Sequence, residues 1–282
     1  MTSQRVIYLI IIFVTAFPLI SGIQMKPARM LSAEKYYNEL SSEESKKGIA
    51  LVSLDYSPST NAENGSQAKL TIEHLLRKRI PFALVSFLPE SKVLIDSIVP
   101  EVIKILEEEN PEEKWDYGKD WVTLGFRPQL VMFLKGLSKT EDIAGYFGQD
   151  NFGTPVKQFE LFKNVKSIKD ISVLAEFTGS NILAAYIQFF RAENYAPRIL
   201  HGTTAVSVPE AYIYLDSRQI IGLLEGLGGA AWYEQLLNEE YKKRTNKNAN
   251  ILNTSLGISQ ITVILLIIAG NFVYFLGKRK QA

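Results

Sequence analysis

The most constraining feature of this chain is an uncharged, largely apolar run of 22 residues, Leu256 to Gly277, near the end of the sequence. About 20 apolar residues in a helix are enough to cross the roughly 30 Å hydrocarbon layer of a bilayer. The run is followed at once by Lys278, Arg279 and Lys280, a basic flank that is typical of the end of a membrane span. The sequence therefore predicts a C-terminal transmembrane helix.

A second apolar run, Val6 to Ile23, follows Arg5 near the N-terminus. It is shorter and contains Pro18, Ser21 and Gly22. Two interpretations are open: a signal anchor that stays as a membrane helix, or a signal peptide that is removed. We expect the uncleaved anchor, which makes the lipid bilayer a partner of the chain at both ends.

The segment between the two runs is long enough for one α/β domain with a substantial core. The predicted organisation is an anchor at residues 1–23, a stalk or first helix at 24–47, an α/β domain at 48–245, a linker at 246–255 and a C-terminal span at 256–277.

The charges that flank the two runs give opposite indications of orientation. The cluster Lys278 to Lys280, with Arg5, favours cytoplasmic termini and a domain outside the cytoplasm. Lys26, Arg29 and the basic residues within 242–247 favour a cytoplasmic domain. Because long loops cross the membrane largely regardless of their charge, we expect an extracytoplasmic domain.

Composition excludes several functional classes. Lys and Arg number 31 and Asp and Glu number 30, and the resulting net charge of +1 provides no field that would attract nucleic acid. The chain has no cysteine, which excludes disulfides, thiolate metal sites and thiol nucleophiles. Neither a GxGxxG after the first strand nor a GxxxxGK[ST] is present. We therefore expect no nucleic-acid partner, no metal and no cofactor.

Apolar runs that are typical of buried parallel strands alternate with segments of helical spacing. Strands are predicted at Gly48–Asp55, Pro81–Leu88, Trp121–Phe126, Asp170–Phe177 and Arg198–His201, with Thr204–Val208 as a further candidate. Helices are predicted at Ala68–Arg79, Val93–Glu109, Gln129–Leu137 and Ile182–Glu193 and within Glu210–Tyr241. This alternation predicts a three-layer, doubly wound, Rossmann-like α/β domain with a mostly parallel sheet of about five strands.

Four stretches carry a resemblance to a protein family. At residues 54–63, 124–128, 202–209 and 222–234 they are LDYSPSTNAE, LGFRP, GTTAVSVP and GLLEGLGGAAWYE. The chain resembles a group of uncharacterised prokaryotic membrane-anchored α/β proteins with an N-terminal apolar segment and a C-terminal span. The resemblance covers nearly the whole length and implies the architecture but no activity. This chain has Glu225 where the group has a small residue and Trp232 where it has an acid.

Polar side chains occur where the predicted strands end. In open parallel sheets, ligands bind beyond the carboxyl ends of the strands. One interpretation is a pocket for a small anionic or polar ligand, with Arg127 and the turn Thr178–Asn181 as the anion contacts. The other is that these residues only cap turns and helices. The candidates are Asp55, Ser86, Arg127, Thr178, Ser180, His201, Thr203 and Thr204.

Specific catalytic roles have weaker support. Asp55, with Glu63, suits a general base or a metal ligand, but the absence of a DxD motif or a histidine partner favours a structural role. His201 follows a strand and suits pairing with Ser180 or Asp55, although no GxSxG elbow is present. His74 is on a predicted helix and is expected at the surface or in helix packing.

Gly222, Gly226 and Ala230 recur at every fourth position of a segment expected to be helical. Such a stripe lets another helix approach closely. It suits either contact with a second copy or another membrane protein, or tight packing within the domain.

Together these features favour a membrane-anchored α/β binding or scaffold module in a membrane or envelope assembly. The alternative is a membrane-bound hydrolase or transferase that uses the polar strand ends. The sequence assigns no catalytic residue.

Overall fold

The chain folds around one sheet of six parallel strands. The computed structural model describes residues 3–191 and 197–279. The strand order is β3-β2-β1-β4-β5-β6. The strands are β1 (Ile49–Asp55), β2 (Phe82–Ser86), β3 (Trp121–Phe126), β4 (Ile171–Thr178), β5 (Arg198–Thr203) and β6 (Gly222–Glu225).

Helices connect and cover the strands. They are α1 (Ser3–Ser21), α2 (Leu31–Ser41), α3 (Ser66–Arg77), α4 (Lys92–Ile95), α5 (Ile98–Glu109), α6 (Leu130–Leu137), α7 (Ile143–Phe147), α8 (Ile182–Phe190), α9 (Val208–Asp216), α10 (Gly226–Glu240) and α11 (Asn248–Arg279).

The sheet is buried on both faces, which makes the domain three layers thick. Along β1, Ala50, Val52 and Leu54 belong to one hydrophobic cluster, whereas Ile49 and Leu51 belong to the other. Helices α2, α3, α5 and α10 cover the first face, and α6, α7, α8 and α9 cover the second. Burial on both faces explains why the strands are continuous apolar runs. The predicted three-layer parallel α/β fold is confirmed.

The sixth strand lies in a segment that was expected to be helical. Strand β6 pairs with β5, with Gly222 opposite Leu200 and Glu225 opposite Thr203. A Cβ on Gly222 would lie 2.5 Å from the Cα of Tyr36 in α2, so only glycine fits there. A strand of four residues that begins with glycine is too short to give an alternating pattern.

This strand corrects the predicted helical stripe of small residues. Gly222 lies in β6, Gly226 is the first residue of α10, and Ala230 is buried further along α10. Gly226 has a φ of 52°, and a Cβ there would lie 2.7 Å from Glu63 Oε2. The three residues therefore share no helical face, and Gly222 and Gly226 make their close contacts within the domain.

The candidate strand Thr204–Val208 is also corrected. Ala205–Ser207 form a 3-10 turn, and α9 begins at Val208 with Pro209 in its first turn. The predicted helix Ile182–Glu193 corresponds to α8, and its last residue, Glu193, lies outside the described residues.

The predicted helix Val93–Glu109 is two helices, α4 and α5. In one continuous helix, the ring of Pro100 would clash with the carbonyl group of Asp96, four residues earlier. Pro100 also has no N–H to donate to that carbonyl. The helical path therefore breaks between α4 and α5.

The segment 24–47, expected to be a stalk or first helix, contains a helix that belongs to the core. Ala33, Tyr36 and Leu40 of α2 are completely buried in the cluster beneath α3 and α10. The core of the domain therefore begins before residue 48.

Helices α1 and α11 are long enough and apolar enough to cross a membrane. Their 19 and 32 residues correspond to lengths of about 28 and 48 Å at 1.5 Å per residue. Hardly any of their apolar windows is buried, unlike a helix in the core of a water-soluble domain. Helix α11 also includes residues 248–255 of the predicted linker, whereas Lys280 lies outside the described residues.

The two apolar helices pack against each other through polar groups. The hydroxyls of Thr15 in α1 and Ser259 in α11 are 2.9 Å apart. Ser255 Oγ donates to the backbone oxygen of Thr15 at 2.7 Å. Just beyond α1, the N–H of Met25 donates to Thr254 Oγ1 at 2.9 Å.

The first turn of helix α11 also packs on the domain. The backbone N–H groups of Ala249 and Asn250 donate to the buried carboxylate of Glu234 in α10, at 3.2 and 2.8 Å. The helix that contacts the domain through its first turn is therefore the same helix that continues as the C-terminal apolar segment.

Candidate functional site

The predicted candidates lie at the carboxyl edge of the sheet, because every strand is parallel. The register places Asp55 of β1 opposite Thr178 of β4. It also places Glu176 of β4 opposite His201 of β5. The strand order changes direction between β1 and β4, the position where doubly wound sheets open a crevice.

Asp55 is completely enclosed by its own domain. Its carboxylate accepts hydrogen bonds from the N–H of Phe87 at 2.6 Å and from the hydroxyls of Ser53 and Ser86. The Tyr186 hydroxyl donates in turn to Ser53 Oγ at 2.7 Å. Burial, assisted by the nearby Glu176, raises the pKa of Asp55 to about 7, although its hydrogen bonds oppose the shift. The carboxyl group of Asp55 thereby connects β1 to the end of β2 and, through Ser53 and Tyr186, to α8.

Asp55 and Glu63 have different partners. Glu63 accepts a hydrogen bond from the N–H of Ala205 at 2.7 Å, which joins the segment after β1 to the turn after β5. Within residues 3–191 and 197–279, no group of three or more His, Cys, Asp or Glu side chains is arranged to hold a metal ion.

The turn after β4 is held by its own side chains. Thr178 Oγ1 donates to the backbone oxygen of Asp55 at 2.9 Å and accepts from the N–H of Ser180 at 3.0 Å. The hydroxyls of Thr178 and Ser180 are 2.8 Å apart. Ser207 Oγ donates to the backbone oxygen of Gly179 and accepts from Thr204 Oγ1. These contacts are those of residues that cap turns.

His201 pairs with Glu176, a residue that sequence reasoning missed, and not with Ser180 or Asp55. His201 Nδ1 lies 2.6 Å from Glu176 Oε2, and both side chains are buried. Burial raises the pKa of the Glu176 carboxyl, and the adjacent His201 opposes that shift. The sequence feature that could have identified Glu176 is its position as a single acid inside the largely apolar strand β4.

The histidine of this pair borders a small cavity at the carboxyl edge. His201 lines it together with Ser180, Thr203, Ser207 and Glu210. Its volume is about 10 Å³, which is roughly the space of one water molecule. In the part of the chain that the structure describes, no hydrogen bond joins His201 to either serine.

Arg127 lies far from the turn with which it was expected to bind an anion. It follows β3, and two strands separate β3 from β4, so three spacings of about 4.8 Å, or roughly 14 Å, lie between them. The guanidinium donates to the backbone oxygen of Gln149 and lies 5.8 Å from the ring of Phe147. Burial lowers the pKa of Arg127. Arg127 and the Thr178–Asn181 turn therefore cannot both contact one small anion.

Gln67, near the start of α3, is a further buried polar residue that sequence reasoning missed. Its Nε2 lies within 3.1 Å of the backbone oxygens of Thr203, Leu224 and Gly226. The neighbouring Asn64 donates to the backbone oxygen of Gly202 at 3.2 Å. These amides join α3 to the ends of β5 and β6.

His74 is buried in helix packing and does not lie at the surface. Its Nδ1 is 2.7 Å from the hydroxyl of Tyr233, and its Nε2 is 3.2 Å from Ser41 Oγ. Burial lowers the pKa of His74 to about 3, so the ring is neutral.

A larger cavity, of about 460 Å³, lies at the junction of the domain with α1 and α11. Leu19 of α1 and Leu252 of α11 line it together with Pro58 and Ala62 from the segment after β1. The carboxyl edge of the sheet is therefore at the end of the domain from which the apolar helices emerge.

The chain has no match among protein-family models, curated proteins or solved structures. Its site geometry is therefore the basis for a functional proposal.

The environment of Asp55 predicts a specific dependence of stability on pH. Between its ordinary pKa of 3.8 and its folded pKa of about 7, the folded protein retains a proton that the unfolded chain has released. Stability from this group is therefore full below pH 4 and is lost as the pH rises through 7. The free energy of unfolding of the parent should therefore fall between pH 4 and 8, and Asp55→Asn should reduce that fall by roughly 2–4 kcal/mol.

The measurement is chemical unfolding of the full chain in mild detergent between pH 4 and 8. The control is Asp216→Asn, which removes an exposed carboxylate. Equal pH slopes for the parent and Asp55→Asn would show that Asp55 is charged throughout.

Proposed function

We propose that this chain is a membrane-anchored α/β module that functions by binding, as a component of a membrane or envelope assembly. The observation that carries the proposal is the continuity of α11, which packs on Glu234 within the domain and then extends as an exposed apolar helix. A domain held in this way keeps a fixed position relative to its anchor. That property suits a binding or scaffold component.

The outward faces of the apolar helices support membrane anchoring. Phe13, Phe272 and Val273 are all more than 60% exposed. A contiguous apolar surface of this extent is unfavourable in water and suits the hydrocarbon layer. The polar contacts between Thr15, Ser255 and Ser259 are typical of helices that associate within lipid.

The hydrogen bonds of the polar groups at the carboxyl edge argue against a catalytic role for those groups. Asp55, Glu63 and Thr178 each form hydrogen bonds with groups of the same domain. A general base must reach a proton on its substrate, and these groups already have internal partners. The partner that we propose is a small polar or anionic ligand, a second copy of the chain or another membrane protein.

Retention of the N-terminal segment can be tested with a pair of cysteines, because the chain has none. In the double variant Thr15→Cys, Ser259→Cys, the two side chains replace hydroxyls that are 2.9 Å apart. Mild oxidation of membranes should therefore form an intrachain disulfide, seen as a shift in gel mobility that reductant reverses. The control pair is Ile12→Cys with Ser259→Cys, since Ile12 is exposed. A mature chain that begins after residue 23 would contradict the anchor.

The orientation that we propose is an extracytoplasmic domain, on the basis of the basic residues that follow residue 277. Lys104→Cys lies on the exposed side of α5, and Gln281→Cys follows the C-terminal basic cluster. In intact cells, a membrane-impermeant maleimide should label Lys104→Cys and leave Gln281→Cys unlabelled until the cells are lysed. The reverse pattern would put the domain in the cytoplasm.

The second candidate function is a hydrolase or transferase, and the Glu176–His201 pair favours it. A buried carboxylate that holds one histidine nitrogen is the arrangement that orients a catalytic base. His201 shares its small cavity with Ser180 and Ser207. A fluorophosphonate probe reacts with serines that such a base activates. We expect no labelling that depends on His201, whereas labelling lost in His201→Gln would favour the enzyme.

A further inference from the structure

The junction cavity lies where the apolar helices leave the domain. Leu19 comes from near the end of α1, and Ile251 and Leu252 come from the first turns of α11. The opposite wall comes from Pro58, Ala62 and the start of α3. The cavity is open to the outside and its volume of about 460 Å³ is within the range of ligand-binding pockets, roughly 300–1,000 Å³.

The lining of this cavity combines apolar and polar side chains. Leu19, Ile251 and Leu252 contribute apolar groups, next to the surface that α1 and α11 would present to lipid. Amide, hydroxyl and amine groups come from Asn61, Ser66 and Lys69 around the start of α3 and from Asn246 and Asn248 around the start of α11. A molecule that fits such a mixed lining has a polar head and an apolar body.

The charge available in the cavity is positive. The lining carboxylate of Glu234 already accepts from the N–H groups of Ala249 and Asn250 and lies 3.6 Å from Arg244. Lys69 pairs with Glu101 at 2.6 Å, but both side chains are well exposed, at 39% and 50%. An exposed pair of this kind is weak, so a phosphate in the cavity can replace Glu101 as the partner of Lys69.

The domain presents apolar side chains toward the same side. Outside α1 and α11, Val206 is 90% exposed and Val93 is 73% exposed. Val206 follows β5 and Val93 follows β2, so both lie at the carboxyl edge. This is the edge that borders the junction cavity through Pro58 and Ala62. Its exposed apolar tips suit a bilayer surface.

We propose that the junction cavity binds the headgroup of one anionic membrane lipid, with Lys69 at its phosphate and its chains along α1 and α11. This inference rests on the proposed membrane anchoring and names the ligand of the binding module.

The test compares the full chain with three variants after reconstitution with equal amounts of phosphatidylglycerol and phosphatidylcholine. Lys69→Gln removes the cation, Ala62→Trp fills the cavity, and Lys104→Gln is the control on α5. Native mass spectrometry counts the lipids retained per chain, and thermal unfolding checks that each variant is folded. Ala62 and Lys104 are exposed and Lys69 is partly exposed, so the variants should fold.

The parent and Lys104→Gln should each retain one phosphatidylglycerol in preference to phosphatidylcholine. Lys69→Gln should weaken this retention about tenfold, as expected for the loss of one charge-assisted contact. Ala62→Trp should abolish it.

Each of the following results would overturn the inference. Equal retention of the two lipids would show that the cavity does not select an anionic headgroup. Unchanged retention by folded Ala62→Trp would show that the lipid binds outside this cavity. Displacement of the lipid by an equal concentration of inorganic phosphate would identify a soluble anion as the ligand. The disulfide between positions 15 and 259 is measured separately. Its formation without lipid retention would therefore contradict this inference alone.

Discussion

The packing of the domain depends on satisfying the backbone groups at the carboxyl ends of six parallel strands. Every strand ends at the same edge, and a buried carbonyl without a partner is costly. The two N–H groups of the Gln67 amide are shared among three such carbonyls, those of Thr203, Leu224 and Gly226. The side chain of a helix that follows β1 thereby fixes the positions of β5 and β6. The edge is rigid because its polar groups are used to hold it together.

This arrangement explains why the candidate residues are close in space and yet unsuited to a shared reaction. Asp55 reaches the edge at the point where the strand order reverses, but Ser53, Ser86 and the N–H of Phe87 enclose it. A carboxyl group that is enclosed in this way is costly to charge, and the domain tolerates it because its hydrogen bonds offset part of the burial. His201, together with Ser180 and Thr203, borders an opening that has room for about one water.

The predicted fold rested on periodicity, and periodicity succeeded where elements were long. The predicted strand Trp121–Phe126 matches β3, and the predicted Gly48–Asp55 differs from β1 by one residue. Strand β6 was missed because four residues carry too little pattern and their glycine spacing imitates a helical stripe. The site was harder, because which residues pair across strands depends on strand order. Arg127 follows β3, at one edge of the sheet. The distance from β3 to β4 depends on the strand order, which the sequence pattern does not reveal.

Helix α11 has a mechanical consequence. It runs without a break from its contacts with Glu234 to the end of its apolar segment, and a helix of this kind resists bending far more than a loop does. In the anchored state that we propose, a change in bilayer thickness that tilts α11 would turn its first residues against α10. Helix α11 is about 48 Å long, and only its first two turns, before Leu256, separate the contacts with Glu234 from the apolar run. Tension in such a membrane would then act on the domain through the contacts of α11 with Glu234.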